Sequence, residues 1–157
     1  MKELSTQFEE VQLVYYNKTK AIDRPKITCA KDAFDVFYHS WDKGQINLVE
    51  ECKLMMLDNQ LRVMSIASIS KGGMTEAIVD PRIIFALALK RRSNMLILAH
   101  NHPSGALKPS KPDITLTRNL ASIGEILRIT VQDHLIITDQ GFYSIQYEFE
   151  KGLSHEL

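Results

Sequence analysis

Apolar and polar positions change period several times along the chain, and each change marks an expected element. Residues 8–16, FEEVQLVYY, partly alternate and are rich in β-formers, which predicts an edge strand. The polar NKTKAIDRPK after it reads as loop. In AKDAFDVFYHSWD, the residues Ala33, Phe34, Phe37, Tyr38 and Trp41 recur at helical spacing and form an aromatic stripe that reads as core, with His39 just off it. Asp42-Lys43-Gly44 stops this helix. INLVEECKLMMLD and LRVMSIASIS, broken at Asp58-Asn59-Gln60, predict a β-hairpin whose first strand carries Glu50 and Glu51 at its entry.

Lys71-Gly72-Gly73 reads as loop, and Asp80-Pro81 opens the next helix with an N-cap and a first-turn proline. That helix, PRIIFALALKRRS, is expected to bury Ile83, Ile84, Leu87 and Ala88, and its last turn holds Lys90, Arg91 and Arg92, where cations suit the helix dipole. Residues 95–99, MLILA, are continuously apolar, as a central strand covered on both faces should be. DITLTRNLASIGEIL follows as an amphipathic helix with Ile114, Leu116, Leu120, Ile123 and Leu127 on its core side. RITVQDHLIIT and GFYSIQYEF, joined at Asp139-Gln140-Gly141, predict a closing hairpin, and the charged EKGLSHEL reads as a frayed tail. Helices interleaved with strands make this an α/β (α+β) chain with a central sheet.

Composition narrows the partners more than the fold. A length of 157 residues suits one domain, expected to span 1–157. Nineteen basic and nineteen acidic residues give zero net charge, so there is no overall pull toward nucleic acid or anionic membrane. The Lys90-Arg91-Arg92 run is a conceivable nucleic-acid contact, but a dipole-matched helix end explains it as well. Cys29 and Cys52 form no CxxC and no disulfide framework, so free thiols in a reducing cytoplasm are expected. No apolar run reaches the roughly 20 residues of a membrane span, and no signal peptide is expected at the N-terminus.

The chemistry is concentrated after the central strand, in His100-Asn101-His102-Pro103-Ser104-Gly105 and Pro109-Ser110-Lys111-Pro112-Asp113. Two histidines one residue apart can leave a strand end on the same side, and Asp113, at the start of the next helix, can complete a three-ligand site. Two neutral imidazoles and one carboxylate would leave a zinc ion with residual positive charge and one open position for water, whose pKa falls toward roughly 7. A structural zinc would instead call for four protein ligands. Ser110 and Asp113 have a second reading, because S-x-x-D before an amphipathic run is close to a capping box, and the two readings can coexist.

His-x-His-Pro, six further residues and Ser-x-x-Asp resemble the JAMM motif of the JAB/MPN metallohydrolases. AHNHPSG with PSKPD, the DPR ahead of the preceding helix, and DHLIIT followed by GFYS resemble more closely the RadC family, over about Asn47 to Phe149, with residues 1–46 as a strand-helix extension. The resemblance implies a cytidine-deaminase-like JAB/MPN fold, a mixed β-sheet flanked by helices, and one Zn²⁺ per chain bound by His100, His102 and Asp113. It places Ser110 at the oxyanion of a tetrahedral intermediate. It also implies an upstream general base, for which Glu50 is chosen because Leu54 and Met55 follow it at the family's spacing, with Glu51 as the alternative. His134 matches the family's Asp-His pair and is expected near the site as a partner rather than a fourth ligand.

The implied activity is zinc-dependent hydrolysis of an amide bond, as in a peptidase or isopeptidase, on a peptide or protein substrate such as a ubiquitin-like tail. A competing reading makes the domain a DNA-repair or mobile-element accessory module with a structural or vestigial metal. Long RadC proteins carry a helix-hairpin-helix module ahead of this domain, and residues 1–45 have no such glycine hairpins, so direct DNA binding is disfavoured.

Overall fold

The computed structural model describes residues 14, 16, 18–72 and 79–146. The expected edge strand over 8–16 lies outside these apart from the exposed Val14 and Tyr16, as does the tail. Helix α1 (Ala30–Ser40) precedes the hairpin β1 (Glu51–Leu57) and β2 (Val63–Lys71). Then come α2 (Pro81–Arg91), β3 (Met95–Asn101), α3 (Lys111–Leu127), β4 (Thr130–Thr138) and β5 (Gly141–Ser144). The five strands form one mixed sheet in the order β2-β1-β3-β4-β5. Only β3 and β4 run parallel, with α3 as the crossover between them.

Residues of one strand alternate between the two faces, so each face can be read from every second position. Ala33 and Phe37 of α1 and Trp41 just after it pack on Met55, Leu57, Ile97, Ala99, Leu135 and Ile137. The opposite face, with Cys52, Leu54, Met56, Leu96 and Leu98, is covered by Ile84, Phe85 and Ala88 of α2 and Leu120 of α3. Each fully buried side chain of this size contributes about 1.5–3 kcal/mol through removal from water. β3 is buried on both faces, as its unbroken apolar run predicts.

Three expectations are corrected. β1 begins at Glu51 rather than near Ile46: residues 43–48 form a turn, with Ile46 N–H donating to Asp42 O and Val49 N–H to Gln45 O, and Ile46 inserted into the core. The buried face of α2 is Ile84, Phe85 and Ala88, leaving Ile83 exposed. On α3 the buried positions are Thr117, Leu120 and Gly124, and Leu127 is exposed. Gly124 is required there because a Cβ would sit 2.3 Å from the Ile129 carbonyl oxygen.

Candidate metal centre

His100 is the penultimate residue of β3 and His102 follows the strand, so both imidazoles leave on the α3 side of the sheet. Asn101, between them, points to the other face and is fully buried. Its amide donates to Ile46 O at 2.6 Å and Val49 O at 2.8 Å, and its Oδ1 accepts from Glu51 N at 2.7 Å. One strand end thus places the histidines and also clamps the turn leading into β1.

Asp113 reaches the same point from the first turn of α3. Ser110 N–H and Oγ–H both donate to Asp113 Oδ2, at 2.6 and 2.7 Å, while Ser110 Oγ accepts from Asp113 N at 3.2 Å. That is a complete capping box. Asp113 Oδ1 lies 3.3 Å from His100 Nε2, and Oδ2 lies 3.7 Å from His102 Nε2. The two Nε2 atoms are 2.9 Å apart. His102 Nδ1 is 2.8 Å from the Ala106 carbonyl, which can only accept, so Nδ1 carries a proton and Nε2 is the atom turned to the cluster. His100, His102 and Asp113 thus each offer one ligand atom, all within 4.8 Å of one another.

The electrostatics suit a cation. Burial works to lift the Asp113 carboxyl, but hydrogen bonding from His102, the neighbouring His100 and the Ser110 donors outweigh it and hold the group well below the usual carboxylate range. Burial pushes His100 down to about 4, against the pull of Asp113. Asp113 raises His102 above its ordinary value, against partial burial. An ionised carboxylate and converging imidazole nitrogens are borderline-soft and hard donors of the kind that hold Zn²⁺.

Glu50 and Glu51 separate by the alternation of the strand. Glu50 lines the pocket that also contains Cys52, His100, Asp113, Leu116 and His134. Glu51 lies with the α1 side: its Oε1 accepts from Ser68 Oγ at 2.7 Å and is 3.7 Å from Lys53 Nζ, which sits 4.8 Å over the Trp41 ring. Cys52 pairs with His100 across the strands, but burial, with Glu50 and Asp113 adding to it, pushes its thiol pKa up, so it stays protonated.

His134 is fully buried beside the cluster, its Nε2 2.8 Å from His100 Nδ1 and its Nδ1 2.7 Å from Thr117 Oγ1. Burial, with the neighbouring His100 adding to it, pushes it down to about 3. Thr117 is the residue that the periodicity reading passes over: a hydroxyl on the core side of α3, donating to Asp113 O at 2.7 Å. Its signal was available as a threonine in register with Leu120 and Gly124. The basic end of α2 is a structural anchor in part, since the Arg91 guanidinium donates to Ser65 Oγ at 2.6 Å and Met64 O at 2.9 Å. Among the described residues no helix is long and apolar enough to cross a membrane.

Comparison with known proteins agrees with this architecture. A UPF0758 protein of Flavobacterium johnsoniae is 44% identical over 119 residues, covering 76% of this chain and 51% of the relative. A UPF0758 protein of Staphylococcus epidermidis is 36% identical over 130 residues, covering 82% of this chain and 56% of the relative. The chain therefore spans about half the length of the curated relatives it matches. The family model described as the RadC-like JAB domain matches residues 27–152, which takes in α1 as well as the motif loop, and the chain belongs to this RadC-like JAB domain family.

Proposed function

We propose that the domain is a zinc-dependent hydrolase of amide bonds, acting as a peptidase or isopeptidase on a peptide or protein substrate of which a ubiquitin-like tail is one form. The observation that carries this reading is the convergence of His100 Nε2, His102 Nε2 and the Asp113 carboxylate, with Glu50 lining the pocket that His100 and Asp113 also line. His100, His102 and Asp113 would hold one zinc ion, which supplies a Lewis acid to polarise the scissile carbonyl and acidify a water molecule. Glu50 takes the proton from the attacking water and returns it to the departing amine nitrogen, as a carboxylate outside the ligand set can. Ser110 turns its hydroxyl from Asp113 Oδ2 to the oxyanion of the substrate, while its own backbone N–H keeps hold of Oδ2. Glu51, tied to Ser68 and Lys53, has no part in the reaction.

Direct DNA binding through the end of α2 is not part of this proposal, because Arg91 is engaged by β2 and the net charge is zero.

Metal content by mass spectrometry and turnover of a fluorogenic peptide-amide library test the reading together. Wild type should carry about one zinc per chain, and His102→Ala should lose it. Glu50→Gln should keep zinc and lose hydrolysis by about 10²–10⁴-fold. Glu51→Gln should keep both but cost about 1–3 kcal/mol of stability in urea, by weakening the partner of a buried Lys53. A wild type that takes up no zinc, or a Glu50→Gln variant as active as wild type, would falsify the proposal.

A further inference from the structure

Behind His100 runs a chain of side chains that is not needed to bind a metal and that packing alone does not explain. His100 Nδ1, His134 Nε2, His134 Nδ1, Thr117 Oγ1 and Asp113 O follow one another at 2.8, 2.7 and 2.7 Å across the three gaps between residues. His134 is 1% exposed, His100 4% and Thr117 6%, so every proton in the chain must find its acceptor inside it. Two imidazoles packed this deeply against one another are neutral, and each then has one N–H and one lone pair.

The direction of the chain is set at its far end. A backbone carbonyl oxygen has no proton, so the 2.7 Å contact between Thr117 Oγ1 and Asp113 O is a hydrogen bond only if threonine donates it; reversed, two oxygen lone pairs would face each other at that distance. Thr117 has a single hydroxyl proton, so toward His134 it is an acceptor, and His134 must carry its proton on Nδ1. His134 Nε2 is then a lone pair and accepts from Nδ1–H of His100. The last consequence is that His100 Nε2 has no proton and turns its lone pair toward His102 and Asp113.

We infer that Thr117 and His134 are positioning residues that fix the tautomer of His100, transmitting the polarity of the Asp113 carbonyl through two side chains so that His100 Nε2 is always available to a cation. His102 is oriented by a one-step version, its Nδ1 donating directly to the Ala106 carbonyl. Both imidazoles are thereby anchored on main-chain oxygens, and both aim Nε2 at one point; the 2.9 Å contact between these atoms is a hydrogen bond in which His102 Nε2–H donates to the His100 lone pair, a proton that a cation would displace. Asp113 enters twice: its carboxylate joins the cluster from the front, and its carbonyl orients His100 from behind. The value of the relay for zinc binding rests on the proposed metal site, whereas the tautomers themselves do not.

Long-range ¹H–¹⁵N correlation spectra of the metal-free, ¹⁵N-histidine-labelled full chain read the tautomers directly, and zinc titration against a chromophoric chelator reads the consequence. In wild type, His100 and His134 should both appear as the Nδ1–H form. Thr117→Val keeps the shape but removes the acceptor for His134 Nδ1–H, so His134 should shift toward the Nε2–H form, oppose the His100 donor, and weaken zinc binding by about 10–100-fold. Thr117→Ser should restore both the tautomers and the affinity, which a role in packing alone would not predict. An Nε2–H form of His134 in wild type overturns the relay, as does a Thr117→Val variant that binds zinc within about twofold of wild type while its urea midpoint is unchanged. Wild-type spectra with the expected tautomers but no zinc uptake would uphold the relay and remove the metal proposal instead.

Discussion

Two helices in this molecule start with the same device and put it to different use. α1 begins at Ala30 with Asp32 folded back on the residues before it, the Asp32 Oδ2 accepting from Thr28 N at 2.8 Å and Cys29 N at 3.3 Å. α3 begins at Lys111 with Asp113 folded back on Ser110 in the same way. Locally the two are near copies: an acid in the first turn satisfies backbone donors that the helix cannot, and complements its dipole. What differs is the remaining oxygen. Asp113 Oδ1 lies 3.3 Å from His100 Nε2, because the loop from β3 brings the strand end and the helix start together. Capping and the proposed metal ligation are therefore compatible for Asp113, since Oδ2 takes the Ser110 donors while Oδ1 is turned to His100.

The largest effect is expected at Asp113. Asp113→Asn keeps an oxygen able to accept from Ser110 N but removes the charge, so α3 should still form while zinc affinity falls on the order of 100-fold or more, beyond the usual cost of altering a metal site's outer partners. Unchanged zinc uptake in that variant would reduce Asp113 to the role of Asp32. Ser110→Ala acts on the cap rather than the cluster. It should cost about 1 kcal/mol in urea denaturation and leave one zinc per chain. Peptide-amide turnover should fall by about 10²–10³-fold if the serine hydroxyl serves the oxyanion; full turnover would leave it a cap.

The smallest effect is expected at Asp32. The Thr28 hydrogen bonds hold its carboxyl below its ordinary value. A carboxyl depressed in the folded state stabilises it above the unfolded pKa, and that contribution disappears as pH falls through the folded value. Asp32→Asn should therefore lower Tm slightly at pH 7, begin to converge with wild type only as pH falls below about 4, and leave zinc content untouched. A loss of zinc there would show that the two helix starts are less independent than their geometry indicates.

How much of this is legible in the chain follows the range of the interactions. The strands, the three helices and the central position of β3 come from local periodicity, and the aromatic stripe of α1 packs as its spacing predicts, with Phe34 stacking on Phe142 at 4.9 Å. The start of β1 is not legible, because Ile46 and Val49 look like strand residues, and their turn is held by backbone bonds to Asp42 and Gln45 together with the Asn101 side chain, more than fifty residues away. The same distance hides the choice between Glu50 and Glu51: alternation says that they diverge, but which face carries the histidines depends on the pairing of Cys52 with His100. Thr117 escaped notice because a threonine on an apolar stripe resembles tolerated packing until His134 is seen against it. Ile83 and Leu127 were expected inside because they are apolar, yet α2 and α3 each turn a narrower face to the sheet than their composition offers.

Asn101 has a mechanical consequence. Its neighbours on either side are the two histidines, while its own amide grips the carbonyls of Ile46 and Val49 and the N–H of Glu51. The front and back of the pocket are thus hung from three consecutive residues. Any displacement of the end of β3 is thereby shared between the two histidines and the segment that leads through Glu50 into β1.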